Sequence, residues 1–183
     1  IEGSIDRRLQ ISRLLHEAFD ILAGKSFSTR ITRRKISSDR RERAIRIISE
    51  VAAIDPSNDN LQLIQSLYFL VCGYPERALD NLNKIKNDSL EMTIELARGL
   101  CFYDMGRESD CVQIMERLAG APEPPAAVFY NLGAAKYRAK EIDAADHFFR
   151  KALEIDKNYP EALDRLAQIA FDKGIIEVDR KFI

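Results

Sequence analysis

Tryptophan is absent from the 183 residues, histidine occurs twice and cysteine three times. These shortages exclude whole classes of chemistry. His16 and His147 have no metal-spaced partner, so no metal site is expected and both are read as structural or surface residues. Cys72, Cys101 and Cys111 are odd in number and lack motif spacing. That argues against a disulfide framework and favours a reducing compartment. Six prolines and eight glycines suit helices joined by short turns. The longest apolar run, Leu67-Tyr68-Phe69-Leu70-Val71-Cys72, falls far short of the ~18 residues that cross a bilayer. Neither a Walker-type nor a GxGxxG spacing occurs, and no Ser/His/Asp grouping can be read from the chain. The expectation is a protein that is not an enzyme, with no catalytic residue and no cofactor.

What the chain does have is apolar content, 46% of residues, and an uneven charge. Residues 1–46 hold 12 Lys and Arg against 6 Asp and Glu, and the remainder holds 16 against 23. A basic N-terminal portion therefore precedes an acidic one, although the formal net charge is only −1. The sequence starts at Ile1 rather than Met. Ile1-Glu2-Gly3-Ser4 is read as a cloning remnant, a leader peptide would not be visible, and a cytoplasmic location is expected.

The chain also repeats itself. Ser66, Gly99, Gly133 and Ala167 are 33, 34 and 34 residues apart. With these at position 8 of a 34-residue unit, other columns align. Position 15 holds Gly73, Gly106, Lys140 and Gly174. Position 20 holds Ala44, Ala78, Cys111 and Ala145. Position 24 holds Ile48, Leu82, Met115 and Phe149, and position 27 holds Val51, Ile85, Leu118 and Ala152. Small residues fit where two helix backbones approach, and glycine fits where a helix stops and turns back. A period near 34 with these columns reads as tandem helical hairpins, each too small to bury its own core.

The columns resemble the tetratricopeptide repeat family. The clearest unit, residues 126–159, carries Phe129, Leu132, Gly133, Tyr137, Ala145, Phe149 and Ala152 at or beside the family's signature positions. Val51-Ala52-Ala53-Ile54-Asp55-Pro56 supplies the family's proline after a second helix. Lys136, Arg98 and Gln65 depart from the pattern. The resemblance covers roughly residues 40–174. It implies an all-α fold, a right-handed superhelical solenoid of helix-turn-helix hairpins, here with an extra N-terminal amphipathic helix.

The expected layout is an N-terminal helix within 1–24, a basic loop over 25–39, and a repeat array over 40–183. The array comprises a degenerate first unit to 58, units at 59–91, 92–125 and 126–159, and a capping helix over 160–174 with a tail. Leu9, Leu15, Phe19 and Leu22 mark the apolar stripe of the N-terminal helix. The spacing predicts later helices over 40–54, 59–72, 75–86, 90–104, 107–119, 125–139, 142–155 and 159–173.

In the family, first helices line a concave groove. Carried over here, the expected partner-binding residues are Leu63, Leu67, Leu70, Leu96, Leu100, Tyr103, Tyr130, Asn131 and Tyr137. Such a surface suits an apolar peptide or helix. The carboxylate-clamp specialisation is argued against, because Asn131 and Arg165 match its slots whereas Leu96, Leu100 and Glu161 do not. Core packing of the same leucines, or an N-terminal helix folded into the groove, are competing readings. The function implied is a protein–protein scaffold or adaptor binding a protein or peptide, within a secretion, pilus-assembly or other multiprotein complex. The alternatives are a cytoplasmic chaperone for a secreted subunit, or a helper domain that contacts nucleic acid or anionic membrane through Arg33, Arg34, Lys35, Arg40 and Arg41. A homodimer through the N-terminal helix is a further expectation.

Overall fold

A computed structural model describes residues 2–22 and 36–174. Among them the chain forms nine α-helices and no strand. These are α1 Glu2–Leu22, α2 Ser38–Ile54, α3 Asp59–Val71, α4 Pro75–Leu82, α5 Glu91–Asp104, α6 Glu108–Ala119, α7 Ala126–Arg138, α8 Ile142–Ile155 and α9 Pro160–Asp172, with a 3₁₀ turn at Asp88–Leu90 before α5. The chain divides into two compact units, Ile1–Arg107 and Glu108–Ile183. The division falls within the repeat predicted at 92–125, between its two helices.

Local chemistry sets the helix starts. Ser37 and Asn58 cap α2 and α3 by accepting from the backbone N–H of Arg40 and Leu61. Pro75 and Pro160 open α4 and α9, where a missing N–H costs nothing. The ends are set by the glycine column. Gly73, Gly106 and Gly174 have φ of +80°, +75° and +69°, and Lys140 joins them at +67°. At the first three full turns two bonds recur. The N–H of Gly73, Gly106 and Lys140 donates to Leu70, Tyr103 and Tyr137, and the N–H of Tyr74, Arg107 and Glu141 donates to Phe69, Phe102 and Lys136. That pairing closes a helix with a left-handed residue, and at Gly73 and Lys140 it turns the chain back against the helix just left. Side chains reinforce two of these turns. The Arg107 guanidinium lies 4.5 Å from the Phe102 ring centroid, and Lys136 Nζ lies 3.0 Å from Glu141.

One helix is shorter than the spacing predicts. α4 ends at Leu82 rather than Lys86, because Lys84 and Ile85 donate to Asn81 and Leu82 in tighter i→i−3 bonds. Asn87 then accepts from the N–H of Ser89 and nucleates the 3₁₀ turn. Ile85 stays buried, so its column survives the change.

The packing columns hold throughout. All four residues at each of positions 20, 24 and 27 are buried. In the N-terminal unit α1 packs on α2 and α3. Its buried stripe is Ile11, Leu15, Ala18 and Leu22, an i, i+4, i+7, i+11 series that joins one core with Ala44, Val51, Leu67 and Leu100. Leu9, expected in that stripe, is 53% exposed instead. Arg43 pairs with Glu17 at 2.7 Å and fastens α2 to α1.

In the C-terminal unit α7 is the central helix, buried without a break from Ala126 to Ala135. Gly133 is the point of closest approach. A Cβ there would meet two Phe149 ring carbons at 2.8 Å and the Ala145 carbonyl oxygen at 3.2 Å. Phe149 is fully buried and cannot swing aside. Gly133→Ala is therefore expected to lower unfolding stability by about 1–2 kcal/mol, overpacking outweighing the gain in helix propensity. Lys140→Gly is expected to act in the opposite direction by roughly 0.5 kcal/mol. It removes the left-handed penalty of a side chain, and the extra chain entropy of glycine offsets only part of that. Urea unfolding of the two variants beside wild type checks both signs.

Candidate partner-binding surfaces

The expected groove residues lie on α3, α5 and α7, and nearly all of them are buried. Leu67, Leu70, Leu100, Tyr130 and Asn131 are fully inaccessible, and Leu63, Leu96 and Tyr103 retain 5% exposure or less. Tyr137 alone is half-buried. The sequence pattern predicts an open apolar groove, whereas eight of its nine residues are buried. In the N-terminal unit α1 brings four apolar residues into the same core as Leu63, Leu67, Leu70 and Leu100. In the C-terminal unit Tyr130 is held between aromatic rings, 5.5 Å from Phe149 and 5.4 Å from Tyr159 by centroid. These side chains thus support the fold rather than meet solvent.

The N-terminal unit has an open cleft of about 610 Å³. α1 forms one wall with Arg8, Ile11, Ser12, Leu15, His16 and Phe19. Asp55 and Asn58 from the α2–α3 turn, Asn60, Leu63 and Ile64 from α3, and Leu90 and Thr93 at the start of α5 form the other. Its floor is apolar and its rim polar. Leu63 is the one predicted groove residue that lines it. The expected α1 stripe of Leu9, Leu15, Phe19 and Leu22, broadened by Ile11, Leu14 and Ile21, contains Ile11, Leu15 and Phe19 of this wall. It also includes the exposed Leu9 and omits Ala18. The signal that would have found Ala18 is the Ile11, Leu15, Ala18, Leu22 series, which has a small residue where helices approach.

The basic stretch resolves in part. Arg33, Arg34 and Lys35 lie outside the described residues. Arg40 is committed within the fold, its guanidinium donating to the Ile21 carbonyl at 2.8 Å. A cation there answers the unsatisfied carbonyls at the end of α1. Arg41 is exposed on α2.

The C-terminal unit presents two further features. The Tyr137 hydroxyl donates to Asp172 at 2.8 Å and ties α7 to α9, while Gln168 Nε2 donates to the same carboxylate at 2.8 Å within α9. The Arg165 guanidinium lies 5.7 Å from the Tyr137 ring centroid. Hydrogen bonds from Tyr137 and Gln168 hold the Asp172 carboxyl below its ordinary value, and the same bond raises the Tyr137 phenol. On another side of α9, Leu163, Ala167 and Phe171 are exposed along one stripe.

Nucleophilic chemistry finds no support in Cys101 and Cys111. Burial, aided by Asp104 and Glu108 respectively, pushes Cys101 and Cys111 up to about 12. Both therefore remain neutral packing residues. Among the described residues no cluster of His, Cys, Asp and Glu could hold a metal ion, and no helix is long and apolar enough to cross a membrane.

No family model and no curated protein sequence matches the chain. Solved structures do. A crystal structure of MamA aligns with a TM-score of 0.57 at 20% identity, over 75% of this chain and 81% of that one. PilF of Pseudomonas aeruginosa aligns with a TM-score of 0.62 at 20% identity, over 88% and 71%. A second MamA structure aligns at 0.55 and 19%, over 90% and 85%. At this identity the likeness is one of fold. The chain has a tetratricopeptide-type helical-repeat fold.

The Asp172 tie has a pH signature. Because its carboxyl is lowered in the fold, the stability it lends is present above the ordinary value of 3.8 and is lost as pH falls through the lower, folded value. Asp172→Asn is expected to remove that part of the acid transition. Asp146, lowered by its bond to Arg150, should keep its own. Acid titration followed by circular dichroism checks this, and a variant curve that superimposes on wild type would refute it.

Proposed function

We propose that the protein is a non-enzymatic scaffold that grips a segment of a partner protein in the cleft between α1, α3 and the start of α5. One observation carries the proposal. That cleft combines an apolar floor with a polar rim, as peptide-binding sites do. The helical-repeat fold supports the general role. Assembly of a multiprotein complex, or chaperoning of a secreted subunit, is the kind of process such a grip serves. A nucleic-acid or membrane role through the arginines has less support, since Arg40 and Arg43 are spent on α1.

The test leaves the core untouched. Ser12 and Thr93 line the cleft without belonging to the buried set. A Ser12→Trp/Thr93→Trp variant would fill the cleft while sparing the leucines beneath it. Affinity capture from the native source, with wild type and the variant compared by mass spectrometry, is expected to lose a specific partner by about tenfold or more. Equal recovery by a variant of native helicity would overturn the proposal.

A further inference from the structure

We infer that the cleft takes an extended peptide segment bearing one bulky apolar side chain with a carboxylate beside it, and that Arg8 engages the carboxylate. The inference rests on the scaffold reading above and adds the chemistry of the partner.

The floor sets the first requirement. Phe19, Leu63, Ile64 and Leu90 are apolar lining, against which a large apolar side chain gains burial and a polar one does not. The rim sets the second. Ser12, Asn60 and Thr93 form no side-chain hydrogen bond among the described residues. A helix satisfies its own backbone groups and leaves such a rim unanswered. An extended segment offers free N–H and C=O groups to it.

Charge sets the third. Asp55 is already engaged, accepting from Ser57 Oγ at 3.2 Å and Asn58 Nδ2 at 3.1 Å. His16 has its own carboxylate, Asp20, at 3.7 Å. Arg8 forms no ion pair among the described residues, and it lines the cleft with its guanidinium uncommitted. A planar five-donor fork of this kind is matched by a carboxylate. The wall also continues outward. Ile5, Leu9, Ser12 and His16 follow an i, i+4, i+7, i+11 spacing along α1, and the last two line the cleft. Ile5 and Leu9 are 54% and 53% exposed, so an apolar contact is offered just beyond Arg8. The result is a preference for apolar and acidic residues together.

A random peptide library displayed on phage tests this with the full chain as bait. Selection on wild type is expected to enrich peptides that pair Leu, Ile, Phe or Met with a nearby Asp or Glu. Binding of the best synthetic peptide, followed by fluorescence anisotropy, should weaken about fivefold or more in Arg8→Glu. Replacing the peptide's acid with Lys should restore binding to that variant. Enriched peptides that bind in the cleft yet lack an acid, or that ignore Arg8→Glu, would overturn the charge assignment while leaving the cleft as the site. Failure to enrich any peptide, or equal binding by Ser12→Trp/Thr93→Trp, would overturn the cleft reading and this inference with it.

Discussion

The fold depends on reversing a helix within two residues. At Gly73, Gly106 and Lys140 the chain takes a left-handed conformation, closes two backbone bonds and starts the next helix. Everything downstream is geometry that this turn imposes. Within each unit a helix returning so quickly lies against the one it left, as α4 does on α3 and α8 on α7. The facing columns must then be small at the crossing, as at Gly133 opposite Phe149. They must be large on either side of it, as at Met115 and Phe149. That Lys140 holds the same conformation without being glycine shows that neighbouring packing enforces the turn. The residue's own preference does not choose it.

This explains why the fold was legible. Turn, crossing and packing columns each recur with one period, so an error in any single column is outvoted by the rest. The helix boundaries followed to within a few residues, except where the i→i−3 bonds of Lys84 and Ile85 ended α4 early and the Asn87 side chain started a 3₁₀ turn. The candidate site was much less legible. Leu67, Leu70 and Leu100 carry the same pattern whether they face a groove or a further helix. Only a long-range fact decides, namely that α1 docks on α2 and α3. The stretch between α1 and α2 interrupts the period there, so the repeat register could not be extended back to α1.

The docking of α1 has a consequence for binding. It converts an expected strip of exposed leucines into core and leaves a shorter, polar-rimmed cleft beside them. A long apolar groove would be sticky and tolerant, and an exposed surface of that kind invites association without selectivity. A short cleft with unspent hydrogen-bonding groups discriminates, because a ligand that leaves those groups unpaired forfeits binding energy.

The arginines show the same division of labour. Arg40 and Arg43 lie close in sequence on one basic helix, and both are consumed in holding α1, one on the Ile21 carbonyl and one on Glu17. Arg8 lies on the helix they hold and is committed to nothing among the described residues. Charge counting along the chain weights these three alike. Their roles separate only when each guanidinium is assigned its acceptor. The cations that fix α1 are what give the uncommitted one a stable wall from which to act, so the basic character of the N-terminal portion is first structural and only at Arg8 available for recognition.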